Sequence, residues 1–418
     1  MTNRMLQVRI VQSLAEVPAE AWNACAGQML SAPDAVRSEV KLTSEDKSFA
    51  QLSTRRQPPN PFVTHEFLSS LEQSGSVGGR TGWQPRHLLA EEVGGVLVGA
   101  APCYLKSHSR GEYVFDHGWA EAFERAGGNY YPKLLVAVPF TPVTGPRLLV
   151  RSGLQADAVR GELADALVEI TGANELSSAH VTFLTEPEWH ALAKRGFLRR
   201  NDRQFHWQNA GYHNFDDFLG CLASRKRKTI RRERKDALSA GIDVCWLTGS
   251  DLTESVWDAF FAFYMETGSR KWGRPYLSRE FFSLVGEKMR DRILLVMARR
   301  AGRWIAGAIN FIGADTLYGR NWGATEHHPF LHFELCYYQA IAYAIEKGLT
   351  RVEAGAQGEH KIARGYLPHP TYSAHFIANP ALRRAIADYL SRERLYVQAA
   401  AEELAAAAPF RKDLVEQD

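Results

Sequence analysis

Two glycine turns about 207 residues apart each split a pair of apolar runs. RHLLAEEVGGVLVGAAPCYLKS turns at Gly94–Gly95, and ILLVMARRAGRWIAGAINFIG turns at Gly302. Tight hairpin turns need positive φ, which glycine adopts freely, so each stretch predicts an antiparallel hairpin. The same succession follows each: a strand (YYPKLLVAV, then TLYGRNWGA), a helix (AVRGELADALVEI, then HFELCYYQAIAYAIEKG) and a strand (AHVTFLT, then TRVEAGAQ). The repeated order of hairpin, strand, helix and strand predicts an α+β fold of two mixed sheets flanked by helices. A boundary near Gly211 divides the chain into 1–211 and 212–418. A chain of 418 residues, 45% hydrophobic, suits two cores better than one.

The flanks fill in the plan. MLQVRIV reads as an opening strand, and NPFVTHEFLSSLEQ as a helix with Phe62, Phe67, Leu68 and Leu71 on one face. Residues 31–59 are polar, weakly periodic and end in Pro-Pro, the pattern of a flexible insertion. Asn379-Pro380 places a cap residue and a proline at the start of a long Ala-rich helix reaching about Ala407, and the last ten residues are expected to fray. The five cysteines are scattered without C-x-x-C spacing, which excludes a disulfide framework or a zinc knuckle. No apolar run approaches the roughly 20 residues of a membrane span, and the start of the chain lacks a signal-peptide pattern. A cytoplasmic protein is expected.

Charge is concentrated. SRKRKTIRRERK, from Ser224 to Lys235, holds eight Arg or Lys and one Glu, +7 in all, against +3 for the whole chain. The remainder therefore sums to about −4, and any recognition of an anion is local. Leu219, Leu222, Ile230, Ala237 and Leu238 form a sparse apolar stripe. The stretch thus reads either as a solvated helix face or as a patch gripping phosphates through Arg227, Lys228, Arg231 and Arg232.

The densest polar cluster is EAGAQGEHKIARGYLPH, which leaves a strand and turns through Gly355 and Gly358. Loops at strand ends are favoured places for sites. Glu353 and Glu359 are the candidate bases, with His360 next. Tyr318 or Tyr366 is the candidate acid for a leaving group. Gln357, Lys361 and Arg364 are candidates to hold an anionic substrate. YGRNWGATEHHPFLHFEL adds Arg320 and Asn321 at a strand end and His332 and Glu334 at the start of the next helix. It has no H-E-x-x-H spacing and no metal is expected. Lys133 and Arg147 of the first unit are further substrate-binding candidates. A serine nucleophile elbow, a P-loop and a G-x-G-x-x-G fingerprint are all missing from the sequence.

The segments NPFVTHEFLSSLEQSGS, GWQPRHLLAEEVGGVLVGAAPCYLKS, SRKRKTIRRERK and NWGATEHHPFLHFELCYYQAI, with GLTRVEAGAQGEHKIARGYLPHPTYSAHFI, resemble the bacterial FemAB-like N-acyltransferases of the GNAT superfamily. The resemblance covers nearly all of the chain except 31–59 and the tail. It implies two GNAT-like units and transfer of an acyl or aminoacyl group to an amine, with peptidoglycan precursors as the Fem-type acceptor. The donor is a co-substrate, aminoacyl-tRNA or acyl-CoA, and no tightly bound cofactor is implied. CoA-dependent relatives hold the pyrophosphate on a glycine loop before a helix, whereas here no glycine falls between Gly323 and Gly348. That departure favours tRNA or a carrier protein as donor. Two alternatives remain open: a CoA-dependent N-acyltransferase for a small amine, and a non-catalytic RNA- or anion-binding module on the same scaffold.

Overall fold

The computed structural model describes residues 6–27, 60–153, 156–272, 275–355 and 358–411. The insertion expected at 31–59 lies outside them, as do Gln357 and residues 412–418. The strands in chain order are β1 (Leu6–Val11), β2 (Trp83–Pro85), β3 (His87–Glu92), β4 (Leu97–Ala101), β5 (Cys103–Lys106), β6 (Lys133–Val136), β7 (Leu149–Val150), β8 (Ser178–Leu184), β9 (Leu198–Gln208), β10 (Ile242–Leu247), β11 (Ile293–Arg300), β12 (Arg303–Ile312), β13 (Thr316–Ala324), β14 (Arg351–Glu353) and β15 (Leu367–Ile377).

Both hairpins form. Gly94 and Gly95 have φ of 104° and 80° between β3 and β4, and Ala301 and Gly302 have φ of 48° and 75° between β11 and β12. The two units differ in how they use them. β11 and β12 stay in one eleven-stranded sheet, of order β10-β11-β12-β13-β14-β9-β15-β8-β6-β5-β2. The first hairpin instead joins β1 and β7 in a separate sheet of order β1-β3-β4-β7. The chain passes between the sheets at Arg86 and at Pro102, which has no N–H to offer a ladder.

The expected boundary at Gly211 is no break in the large sheet. β9 pairs with β14 of the second half, and β15 returns to lie between β9 and β8 of the first. One aromatic core likewise draws on both halves: the Phe62 ring lies 5.1 Å from Phe311 and 5.3 Å from Tyr318, and Phe67 lies 5.7 Å from Phe281. The long helix spans Pro380–Ala406, with Asn379 Oδ1 accepting from the N–H groups of Ala381 and Leu382 as its sequence predicts. Beyond it the expected fraying does not begin at once. Ala223 donates to the Pro409 carbonyl at 2.9 Å and Arg411 to Cys221 at 3.0 Å. Among the described residues no helix is long and apolar enough to cross a membrane.

The large sheet contains two parallel pairs, one in each half. Leu134, Leu135 and Val136 of β6 face Ala179, His180 and Val181 of β8, and Thr316, Leu317 and Tyr318 of β13 face Arg351, Val352 and Glu353 of β14. Past those residues the paired strands part, which opens a fork in the sheet. The helix Glu254–Trp272 lies over the second fork, held close by Gly323 of β13, where an added Cβ would sit 2.0 Å from the Phe263 carbonyl oxygen. Gly323→Ala is therefore expected to push this helix off the sheet at a cost of roughly 1–3 kcal/mol or more, read as a lower midpoint in denaturant melts. An unchanged midpoint would show that the contact is loose.

Candidate active site

The first fork is closed by a side chain. Arg147 is fully buried, and its guanidinium spans the parted strands, donating to the carbonyls of Thr182 (2.9 Å), Val143 (2.6 Å), Gly145 and Pro146 (both 3.2 Å). Lys133 is equally buried, donating to Ser109 (2.7 Å), Glu112 (2.8 Å) and Asp116, which also accepts from the Tyr130 hydroxyl at 2.7 Å. Burial works against the Lys133 ammonium, but Glu112 and Asp116 outweigh it and hold its pKa above the usual value. Both cations, expected to bind substrate, have their donors engaged within the fold.

The second fork is open. It gives onto a cavity of about 250 Å³ lined by Arg320 and Asn321 of β13, by His332, Cys336 and Tyr337 of the following helix, and by Ala354 and Gly355 just past β14. The pairing of β12 with β13 slips between Ala308↔Trp322 and Asn310↔Gly319, so the extra residue of this bulge falls at Arg320 and Asn321. Bulges re-aim side chains, and here both are turned to the cavity. The first half supplies part of the wall, through Tyr113 and Pro142, and its Phe140 carbonyl accepts from Arg320 at 2.7 Å. A second cavity, of about 550 Å³, shares Thr267, Trp322 and His332 with the first.

Two buried titratable groups stand behind the cavity wall without lining it: Glu353 precedes the wall residue Ala354, and Lys361 bonds the carbonyl of the wall residue Gly355. Glu353, the last residue of β14, is 4% exposed, and its Oε2 has no hydrogen-bond partner among the described residues. His206 Nε2 stands 3.8 Å away and Arg351 3.7 Å from the other oxygen. Burial raises the carboxyl pKa to about 7 against the pull of Arg351 and Arg320. Lys361 is 2% exposed, and its ammonium donates to the Gly355 carbonyl at 2.8 Å. Burial lowers its pKa to about 8. An acid and a cation that both titrate near neutrality, at the open end of a parallel pair, can accept and supply protons at physiological pH.

The remaining expected residues divide. His360 is exposed and bonds the Tyr337 hydroxyl through Nε2 at 2.9 Å, whereas Glu359 is exposed and its side chain has no hydrogen bond among the described residues. Tyr318 packs into the aromatic core and Tyr366 is fully buried, its hydroxyl 3.5 Å from the Tyr337 carbonyl. Neither borders the cavity. The helix after β13 brings Tyr337 to the cavity, which Tyr113, Tyr264 and Tyr276 also line. That helix runs Leu331–Phe333 as α, Glu334–Tyr338 as a π turn and Gln339–Glu346 as α. The residue added by a π turn rotates what precedes it: Tyr337 shares the core with Ala340, Ile341 and Ala344, Cys336 packs against that core, and both also reach the cavity. Glu334 is fully buried and takes Arg234 (3.0 and 3.1 Å) and Gln339 (2.7 Å), so it is an anchor and not a substrate ligand.

The arginine partner of Glu334 belongs to the basic helix, Ser224–Leu238. Its one acid inside the cationic run, Glu233, is buried and accepts from Arg364 at 2.8 and 2.9 Å and from the Tyr338 hydroxyl. Arg364 also lies 3.5 Å over the Phe333 ring. Arg364 ends the 3-10 segment Glu359–Arg364 that carries Lys361, so the basic helix is bolted to the segment bearing the buried lysine. Lys228, Arg231 and Arg232 face solvent, and Arg231 pairs with exposed Asp216 at 2.9 Å. Arg227 is half-buried, 3.4 Å from the Gly220 carbonyl.

The profile of the FemAB-like family, described as peptidoglycan biosynthesis/recognition, matches residues 13–412. No curated protein matches the chain. Among solved structures, FemX covers 83% of this chain and 99% of its own at 12% identity, with a TM-score of 0.50. L-PGS from Bacillus licheniformis covers 80% and 98% at 9% identity and a TM-score of 0.48. A tandem GNAT protein from the clavulanic acid biosynthesis pathway covers 90% and 99% at 13% identity and a TM-score of 0.44. The likeness to FemX is one of fold. The family match spans nearly the entire sequence, and the chain belongs to the FemAB-like family.

Proposed function

We propose that the chain is an N-acyltransferase that moves an aminoacyl group from aminoacyl-tRNA to an amine of a cell-wall precursor, in the cytoplasm. The observation that carries this reading is the open second fork, a cavity built by both halves and lined by Arg320, Asn321 and His332, with the buried carboxyl-bearing residue Glu353 next in the chain to its wall residue Ala354. The amine attacks an ester carbonyl. Glu353 takes its proton, Lys361 faces the charge that develops on the carbonyl oxygen, and Arg320, Asn321 and His332 orient the reactants. A purely binding module on this scaffold has no use for a desolvated carboxyl without a partner. A CoA donor is disfavoured by the start of the helix after β13, where Phe330 and buried Glu334 stand in place of a glycine loop.

The donor is tested by binding. Labelled aminoacyl-tRNA should bind with steep salt dependence, and changing Arg227, Lys228, Arg231 and Arg232 to Gln should weaken it by at least tenfold at low salt and flatten the slope. Affinity no better than for unrelated RNA, and equal in the variant, would leave the helix as a solvated face and return acyl-CoA or a carrier protein as donor.

A further inference from the structure

A chain of buried polar side chains crosses the junction of β8 and β15 and takes no part in the transfer. His180 and His375 face each other across the two strands, and their Nδ1 atoms stand 2.7 Å apart. Ser373, two residues before His375 and so on the same face of β15, bonds His375 Nε2 at 3.0 Å. At the other end His180 Nε2 bonds the Ser178 hydroxyl at 2.8 Å and lies 3.9 Å from the Asp116 carboxylate. None of these five residues is more than 4% exposed.

Ser373 is the end that opens. It lines a cavity of about 220 Å³ with Tyr113, Phe183, Arg203 and Thr371, and Arg203 forms no ion pair among the described residues. The strand pairing slips at this point. Tyr372 faces Leu184 and Ser373 faces Thr182, so Phe183 is the extra residue of a bulge, and its φ of 55° is one that a bulky side chain rarely adopts. Strain of this kind persists only where the surrounding packing imposes it, and it clusters at functional sites. Burial works against the charged form of both imidazoles, so the pair rests neutral. A neutral His375 that donates from Nδ1 to His180 presents a lone pair at Nε2 to the Ser373 hydroxyl, the arrangement of a serine and its base. A proton taken from Ser373 can then be matched by one passing from His375 to His180. That leaves the positive charge beside Asp116, the carboxylate that favours charge on both rings.

We propose that Ser373 is the nucleophile of a second reactive site, which cleaves carboxylic esters whose acyl group is compact enough for this cavity. The hydroxyl proton moves to His375 Nε2 as the Ser373 oxygen attacks the ester carbonyl, and Arg203, in the same cavity wall, offsets the charge on the carbonyl oxygen. The carbon–oxygen bond of the ester breaks and the proton goes to the leaving alkoxide, giving an alcohol and an acyl serine. Water then attacks the acyl serine and gives a proton to His375. The carboxylic acid leaves, and Ser373 regains its proton. Ester and water become acid and alcohol, and no further reactant is needed.

The test uses the full chain and begins with the parent, so it does not depend on a variant that folds. Diisopropyl fluorophosphate with peptide mapping should modify Ser373 ahead of every other serine. p-Nitrophenyl acetate should release about one equivalent of nitrophenolate in a burst and leave an acetyl group on Ser373, as an activated serine does. Ser373→Ala should abolish both signals. His375→Gln, which keeps a hydrogen bond but has no basic nitrogen, should slow them at least 100-fold while melting close to the parent. Aminoacyl transfer by Ser373→Ala should stay within twofold of the parent. A parent chain whose Ser373 remains unmodified, or hydrolysis retained within threefold in a folded Ser373→Ala, would overturn the proposal and leave a buried hydrogen-bond network. Loss of transfer together with hydrolysis in a folded Ser373→Ala would overturn a separate site.

Discussion

Glu353→Gln is expected to lower kcat/KM by roughly 10²–10³-fold, the usual worth of a positioned general base, and at the same time to stabilise the fold above neutral pH. The two effects share one cause. The carboxyl titrates at 4.5 when solvated and at about 7 when buried at the end of β14. Between those values the folded state binds more protons than the unfolded state, so stability falls as pH rises through that window, and the full deficit is present above pH 7. A shift of this size corresponds to about 3 kcal/mol. Glutamine carries no charge at any pH and removes the deficit. Thermal melts should therefore favour the variant at pH 8 and coincide with the parent near pH 4. In the parent, kcat/KM should climb with pH along a limb centred near 7 as the carboxylate forms. Equal melting temperatures at pH 8 would mean that water reaches the carboxylate, and a flat pH profile would remove it as the base.

Lys133→Met should produce the largest loss of stability, about 3–5 kcal/mol, because it leaves Glu112 and Asp116 buried without their cation. Lys106 cannot replace it. Its ammonium lies 3.6 Å over the Trp83 ring and 3.9 Å from Glu112, and it makes no hydrogen bond among the described residues. Denaturant melts at pH 7.5 should show the loss. Adding Glu112→Gln and Asp116→Asn should recover much of it, since neutral amides are far cheaper to bury than charges. Recovery would establish that the first fork holds a structural ion cluster. A Lys133→Met protein that melts with the parent but binds substrate weakly would make Lys133 a ligand after all.

These two predictions fall on opposite sides of what a sequence can reveal. Both parallel pairs are followed in space by an arginine, Arg147 in one half and Arg320 in the other. The chain offers no local sign that the first folds back onto the carbonyls of Val143 and Thr182 while the second lines a cavity. Tyr318 and Tyr366 look as available as Tyr337 when only their neighbours in the chain are known. A bulge in β13 and a π turn decide which side chains reach the cavity, and both depend on packing against partners far away in sequence. Glu233 reads as a break in a cationic run, yet it is the bolt that fixes the run to Arg364, 131 residues further on.

By itself the sequence determined the elements and their order: two hairpins at their glycines, the strand, helix and strand after each, the capped start of the last helix, and the polar cluster from the end of β14 onward that holds Glu353 and Lys361. Turn geometry, capping and apolar periodicity are set by residues within a few positions of one another, so they can be read along the chain. Only the tertiary structure decided that β15 returns between β8 and β9, that one fork is sealed and the other open, and that Glu353 and Lys361 lose their water. Burial and the meeting of a guanidinium with distant carbonyls are properties of the packed whole, and through desolvation they turn an ordinary acid and an ordinary lysine into groups that titrate near neutrality.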